Sequence, residues 1–173
     1  MPRARAQDVL LIAKSTKKTI DLFRAGASLE KRTGYVIDIL VSKATADRLE
    51  LSQALLLASK AAATGANRSF RSATSRAYYS MYHALRATAF FSYQGDDHEE
   101  HSKLPSGIPA DFANRQHWEN DLKNARYERN RADYDPYPKN DLMFRSTAEQ
   151  LIQKAEELFP IVRAYLQKKG CRL

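Results

Sequence analysis

Four stretches of this 173-residue chain place apolar residues at the spacing of one helix face. In 45–64, Leu49, Leu56 and Ala63 share an edge with Ser52 and Ser59, while Leu51, Leu55 and Ala58 widen it, and Gly65 ends the run. In 69–91, Phe70, Ala73, Ala77, Met81, Ala84, Leu85 and Thr88 form a core stripe, with Asn67 or Ser69 as the capping residue. In 112–131, Trp118, Leu122 and Ala125 form a third stripe behind Asp111 as N-cap, and Pro136 and Pro138 stop it. The fourth starts at Asn140 and runs from Phe144 through Leu151, Leu158 and Val162 to Leu166, with Gly170 as its stop. Pro160 lies inside that pattern, so a kink or a split at Phe159 is expected there. Four amphipathic helices argue for an all-α bundle of 44–173.

Residues 1–43 read as an N-terminal basic extension, a helix plus a connector. They hold nine Lys and Arg against four acids, over half of the chain's net charge of +8. Residues 1–6 read as a frayed basic tail. Val9, Ile12, Ala13, Ile20 and Phe23 give a helical stripe that Gly26 is expected to stop. The β-branched run 34–41 could be a strand, but it has no second strand to pair with, so an irregular or helical connector is expected. The basic excess points to an acidic partner, of which nucleic acid is the commonest. Cys171 is the only cysteine, which excludes a disulfide framework within the chain and fits a reducing compartment. The apolar run 9–13 is too short for a signal segment or a membrane span, so the chain reads as cytoplasmic, with no membrane association.

Chemistry concentrates where the third stripe ends. Arg126-Tyr127-Glu128-Arg129-Asn130-Arg131-Ala132-Asp133-Tyr134-Asp135 packs three arginines, three acids and two tyrosines into ten residues. Arg129 continues the stripe of Trp118, Leu122 and Ala125, so an apolar face runs straight into a guanidinium with five donors to satisfy. Two readings are open: an arginine bonded to the carbonyls or an acid at its helix end, or one aimed at a phosphate. On the second stripe, Arg76, Tyr79, Ser80 and His83 share a polar seam, which is either a row of bonds between helices or one wall of a site. The loop 92–111 contains Asp96-Asp97-His98-Glu99-Glu100-His101, but without a helical frame its acids and histidines read as solvated rather than as metal ligands. No metal or cofactor is expected.

Taken together, Ser75-Arg76-Ala77-Tyr78-Tyr79, His101-Ser102-Lys103 and Arg129-Asn130-Arg131-Ala132-Asp133-Tyr134 resemble the HEPN superfamily (higher eukaryote and prokaryote nucleotide-binding) over roughly residues 45–170. The similarity is to the branch with serine-arginine-alanine-tyrosine-tyrosine and arginine-x-x-alanine-aspartate-tyrosine motifs. The resemblance implies a four-helix up-and-down bundle, here with an N-terminal helical extension, that usually forms a homodimer with a shared cleft. It also implies an RNA substrate, metal-independent ribonuclease activity, and a toxin role beside a nucleotidyltransferase-like antitoxin. Arg129 and Asn130 match the first two positions of the family's catalytic signature, whereas Tyr134 stands where its histidine is expected.

Cleavage through the 2′-hydroxyl needs a proton removed, a proton delivered, and positive charge on the phosphorane. Arg129 suits the last task. A histidine, with an ordinary pKa of about 6.5, suits proton transfer better than a tyrosine at about 10. In this reading Arg129, Asn130 and Tyr134 are catalytic, and His83 is the alternative proton carrier. Arg126, Arg131, Asp133, Arg76 and Tyr79 bind substrate or position those groups. The alternatives are a catalytically inactive HEPN module binding RNA, nucleotide or a nucleotidyltransferase partner, and a structural helical dimer with a buried Arg129–Asp133–Tyr134 network.

Overall fold

The computed structural model describes residues 5–173, so most of the tail expected at 1–6 lies outside the described residues. It divides into two compact units, Met1–Leu40 and Val41–Leu173. Among the described residues the regular structure is entirely helical, in line with the all-α expectation, and no helix is long and apolar enough to cross a membrane.

The first unit carries α1 (Ala6–Ala13) and α2 (Lys17–Thr33), neither of which buries a side chain. The single helix expected to stop at Gly26 is instead broken earlier and continues later. Thr16 opens a new helix by accepting the Thr19 N–H at 3.2 Å. Gly26 inside it costs only about 1 kcal/mol against alanine, and α2 runs on to Gly34, whose φ of 74° suits a residue without a Cβ. The β-branched run then enters α3 (Ile37–Thr64) rather than a strand. Glu30 supports that start by accepting the Ile37 N–H at 3.1 Å.

The second unit is built on α3, α4 (Phe70–Tyr93), α5 (Arg115–Tyr134) and α6 (Arg145–Lys168). Hydrogen bonds fix their directions. Ser52 donates to the Ser80 carbonyl at 2.8 Å and Ser59 to the Ala73 carbonyl at 2.7 Å, so α3 and α4 run antiparallel. Tyr79 meets Arg129 and Ser75 meets Asp133, so α4 and α5 do the same. Small residues on α4 let its neighbours approach closely: Ala73, Ala77, Ala84 and Ala87 are all buried. Met81, Leu85, Leu122, Leu158 and Leu166 fill the interior between them, each worth roughly 2 kcal/mol or more in burial.

Two helix details depart from the sequence expectation. Asp111 does not cap α5; its carboxylate accepts the Tyr165 hydroxyl at 2.9 Å and pairs with Lys169 at 2.6 Å, while α5 starts after Asn114 in the left-handed region at φ 53°. Pro160 does not split α6, because the turns on both sides are held by Leu158, Val162, Tyr165 and Leu166 in the core. At the chain's end, Cys171 is 6% exposed, with its thiol against the Ser42 carbonyl, and burial pushes its pKa up.

The junction of α4, α5 and α6 rests on Arg71 and Asp141. Asp141 accepts the Phe70 N–H at 2.6 Å and the Arg71 N–H at 3.0 Å, placing a carboxylate on the first turn of α4. Arg71 donates to the carbonyls of Arg131, Ala132 and Asp135 at 3.3, 2.8 and 2.8 Å and to that of Pro138 at 2.6 Å. Its guanidinium also lies 4.3 Å from the centre of the Phe144 ring. The end of α5, where only the Arg131 carbonyl also takes a backbone N–H, from Asp135, thereby gains a cation where the helix dipole favours one. Arg71→Ala should cost about 1–3 kcal/mol in urea denaturation, because several mostly part-buried carbonyls lose a charged donor together. A loss below about 0.5 kcal/mol would mean that water replaces the guanidinium fully.

Candidate active site

One turn along α5 from the Arg71 contacts, Arg129 reaches back across to α4. Its Nη2 donates to the Tyr79 hydroxyl and its Nη1 to Asn130 Oδ1 at 3.0 Å. Its Nε lies 2.8 Å from Asp133 Oδ2, an ion pair in which the N–H is not aimed at the oxygen. Ser75 donates to the same carboxylate at 3.2 Å, so Asp133 is held from both helices. The guanidinium carbon stands 4.9 Å from the Tyr79 ring centre, 5.3 Å from Tyr134 and 6.0 Å from Tyr78, within cation–π range. The Arg129 side chain keeps 15% of its surface in solvent, and three of its five N–H groups, the Nε–H among them, have no hydrogen-bond partner among the described residues. The site therefore holds a desolvated, positioned cation with donors to spare.

A second group of rings adjoins it. The Tyr78 hydroxyl is hydrogen-bonded to His101 Nδ1, and the His101 ring lies 4.3 Å from Tyr82 and 5.8 Å from Tyr79, centre to centre. His101 arrives from the loop after α4, which is anchored by charge. Asp96 takes Arg86 Nε at 2.9 Å and Arg48 Nη2 at 2.8 Å, and Tyr82 donates to the Glu99 carbonyl. The loop also packs tightly on itself. A Cβ at Gly107 would overlap the His98 ring, so the close approach of these segments requires glycine there. The acids and histidines at 96–101 thus serve as anchors and as part of the site. Among the described residues no three potential ligands gather to hold a metal ion.

The residues singled out in sequence separate into groups. Arg129, Asn130, Asp133 and Tyr79 come together, and Tyr134, 70% exposed at the last position of α5, stands beside them. Arg126 is half-buried, and its charge acts on both Tyr78 and His101. Arg131 is set apart: it pairs with Glu128 at 2.9 Å and lies near Tyr127 and Phe144. The polar seam of α4 is divided, because Ser80 is buried against Ser52 of α3, Arg76 is exposed, and Tyr79 alone turns to α5. His83 packs edge-on against Tyr82, with its Nδ1 buried and lacking a hydrogen-bond partner among the described residues. Arg71 and the Asp96 anchor carried no sequence signal, since each acts on partners in another element. His101 had one, its place in the His101-Ser102-Lys103 motif, but no periodicity linked it to Arg129.

The pKa shifts follow these surroundings. Burial raises the Tyr78 hydroxyl, despite the opposing charges of Arg126 and Arg129, and so keeps it protonated. Burial lowers His101, and Arg129, Arg126 and Arg86 lower it further. Arg86, the first cause, holds Asp96 below its ordinary carboxylate value. Asp96 therefore contributes stability above its unfolded-state pKa of about 3.9 that disappears as pH falls through the lower folded value. Asp96→Asn should lower the melting temperature at pH 7 and weaken its acid dependence below about pH 4. The same melting temperature at pH 7 in both proteins would show that the loop needs no carboxylate at that position.

His83 is lowered to about 4, chiefly by burial and then by Arg86, Arg48 and His101. Its unfolded state takes up a proton first, so stability falls as pH drops from about 6.5 to about 4, by an amount that solvent screening of the half-buried ring reduces. His83→Gln should flatten that slope, and the His83 ring should titrate near 4 by NMR. A midpoint near 6.5 would contradict its buried setting.

No curated protein and no solved structure matches this chain. The family model described as the HEPN domain matches residues 48–165, which include α4, α5, the anchored loop and every residue of the Arg129 and His101 groups. The chain belongs to the HEPN domain family.

Proposed function

We propose that this HEPN domain is an endoribonuclease that cleaves RNA through the 2′-hydroxyl without a metal ion. Arg129 binds the scissile phosphate and stabilises charge on the phosphorane, Asn130 orients the phosphate, and Asp133 with Tyr79 holds the guanidinium in place. Tyr134 faces the substrate from the end of α5, and Arg126, Arg76 and the basic residues of 1–43 add salt-sensitive attraction to the RNA backbone. Arg131, engaged with Glu128, contributes less to that attraction. The observation that carries this reading is the division of labour between two arginines. Arg71 satisfies the end of α5, so the desolvated Arg129 beside it is not needed for that task. The family points to RNA or a nucleotide as the class of ligand. A toxin role beside a nucleotidyltransferase-like antitoxin, in a cytoplasmic homodimer whose two copies of Arg129 face one cleft, extends the same proposal.

A second reading has its own support. Tyr134 replaces the signature histidine and is exposed rather than held by a base or acid, which favours a module that binds RNA or nucleotide without cleaving it. Incubation with total RNA in chelator separates the two. The wild type should cleave, and Arg129→Ala should lose roughly 100-fold or more of the rate, the usual effect of removing a donor to a developing oxyanion. Equal cleavage by both proteins would remove Arg129 from the mechanism, and binding without cleavage by the wild type would select the second reading.

A further inference from the structure

We propose that His101, not a residue of α5, is the group that moves the proton in this site, and that Tyr78 is its positioning residue. The assignment rests on the ribonuclease reading above and supplies what that reading lacks, an imidazole beside Arg129.

Three observations carry it. First, His101 and Arg129 share aromatic neighbours. The His101 ring centre lies 5.7 Å from that of Tyr78 and 5.8 Å from that of Tyr79, the same two rings over which the Arg129 guanidinium sits. Second, the ring is oriented. Its Nδ1 is taken by the Tyr78 hydroxyl, itself buried at 1% exposure, while Nε2 has no hydrogen-bond partner among the described residues. A histidine fixed through one nitrogen and open at the other is the arrangement a general base requires. Third, the loop that carries it is fastened by Asp96 between Arg86 and Arg48, so the ring is held by charge on two helices rather than left on a free loop.

The chemistry closes on one imidazole. With Nδ1–H donating to the Tyr78 oxygen, the Nε2 lone pair accepts the 2′-hydroxyl proton as the 2′-oxygen bonds to phosphorus. The bond from phosphorus to the 5′-oxygen breaks, and the imidazolium returns its proton to that oxygen. The products are a 2′,3′-cyclic phosphate and a 5′-hydroxyl, and the protein ends as it began. The groups facing His101 are Tyr78, Tyr79, Tyr82, His83 and Arg86 from α4, and Arg126 and Arg129 from α5. The cations favour the neutral ring, as does its burial, so the base is available at neutral pH.

The test compares wild type, His101→Gln, Tyr78→Phe and Arg129→Ala on a short synthetic RNA in chelator across pH 4–8. Wild-type cleavage should fall as pH drops through a single limb below about 6.5, where the ring takes up its proton. His101→Gln should lose 100-fold or more in kcat with KM nearly unchanged, lose that limb, and recover part of its rate with added imidazole. Tyr78→Phe, which removes only the hydroxyl, should keep a slowed reaction with a displaced limb. Should His101→Gln fail to fold, a wild-type rate and limb in Tyr78→Phe would overturn the assignment. Wild-type activity in a folded His101→Gln beside an inactive Arg129→Ala would overturn it while leaving the ribonuclease reading intact. No cleavage by any of the four proteins would overturn both.

Discussion

The end of α5 is completed by a side chain from another helix, and much of the fold and the site depends on that contact. A helix leaves its last carbonyls without partners, and usually a glycine, water or a cation of its own last turn supplies them. Here Arg71, from the first turn of α4, donates to the carbonyls of Arg131 and Ala132 in the last turn and to those of Asp135 and Pro138 beyond it. Asp141 holds the start of the same α4 turn from the segment that leads into α6. Three helices are thereby registered at one end of the bundle, and the α4–α5 pairing that brings Tyr79 to Arg129 follows from that register.

A second constraint acts from the far side. Asp96 is clasped by Arg48 of α3 and Arg86 of α4, and burial of such a charge is tolerable only when it is paired and bonded in this way. The pairing turns a loop of charged residues into a rigid strap. Its product is the location of His101, brought over the tyrosines of α4 from 19 to 23 residues downstream. Tyr78 and Tyr79 then lie against both the guanidinium and the imidazole and shield each in part from water, which strengthens the electrostatics on which either would act.

Much of the bundle was legible in the chain, because helix period and breakers are local signals. The stripes around Leu49, Leu85, Leu122 and Leu158 are buried as the pattern requires, although Leu51, expected to widen the first of them, is exposed. The misreadings were also local. Asp111 has the chemistry of an N-cap and is used by Tyr165 and Lys169 instead, and Gly26 is a stop signal overridden by a better one at Gly34. The Arg129–Asp133–Asn130 grouping could be read from helix spacing, since Arg129 and Asp133 sit one turn apart. The roles of Arg71, Asp96 and His101 could not. Each depends on a partner between ten and sixty-seven residues away, and no periodicity encodes such a distance.

The last turn of the chain carries a consequence of its own. Cys171 is the sole thiol, it is sealed against Ser42, and burial holds it in its unreactive protonated form. A maleimide or disulfide reagent can reach it only when the junction between the C-terminal segment and α3 parts. The rate of its labelling is thus a clock for local opening of the helical core, available in the unmodified protein without a probe having to be engineered in.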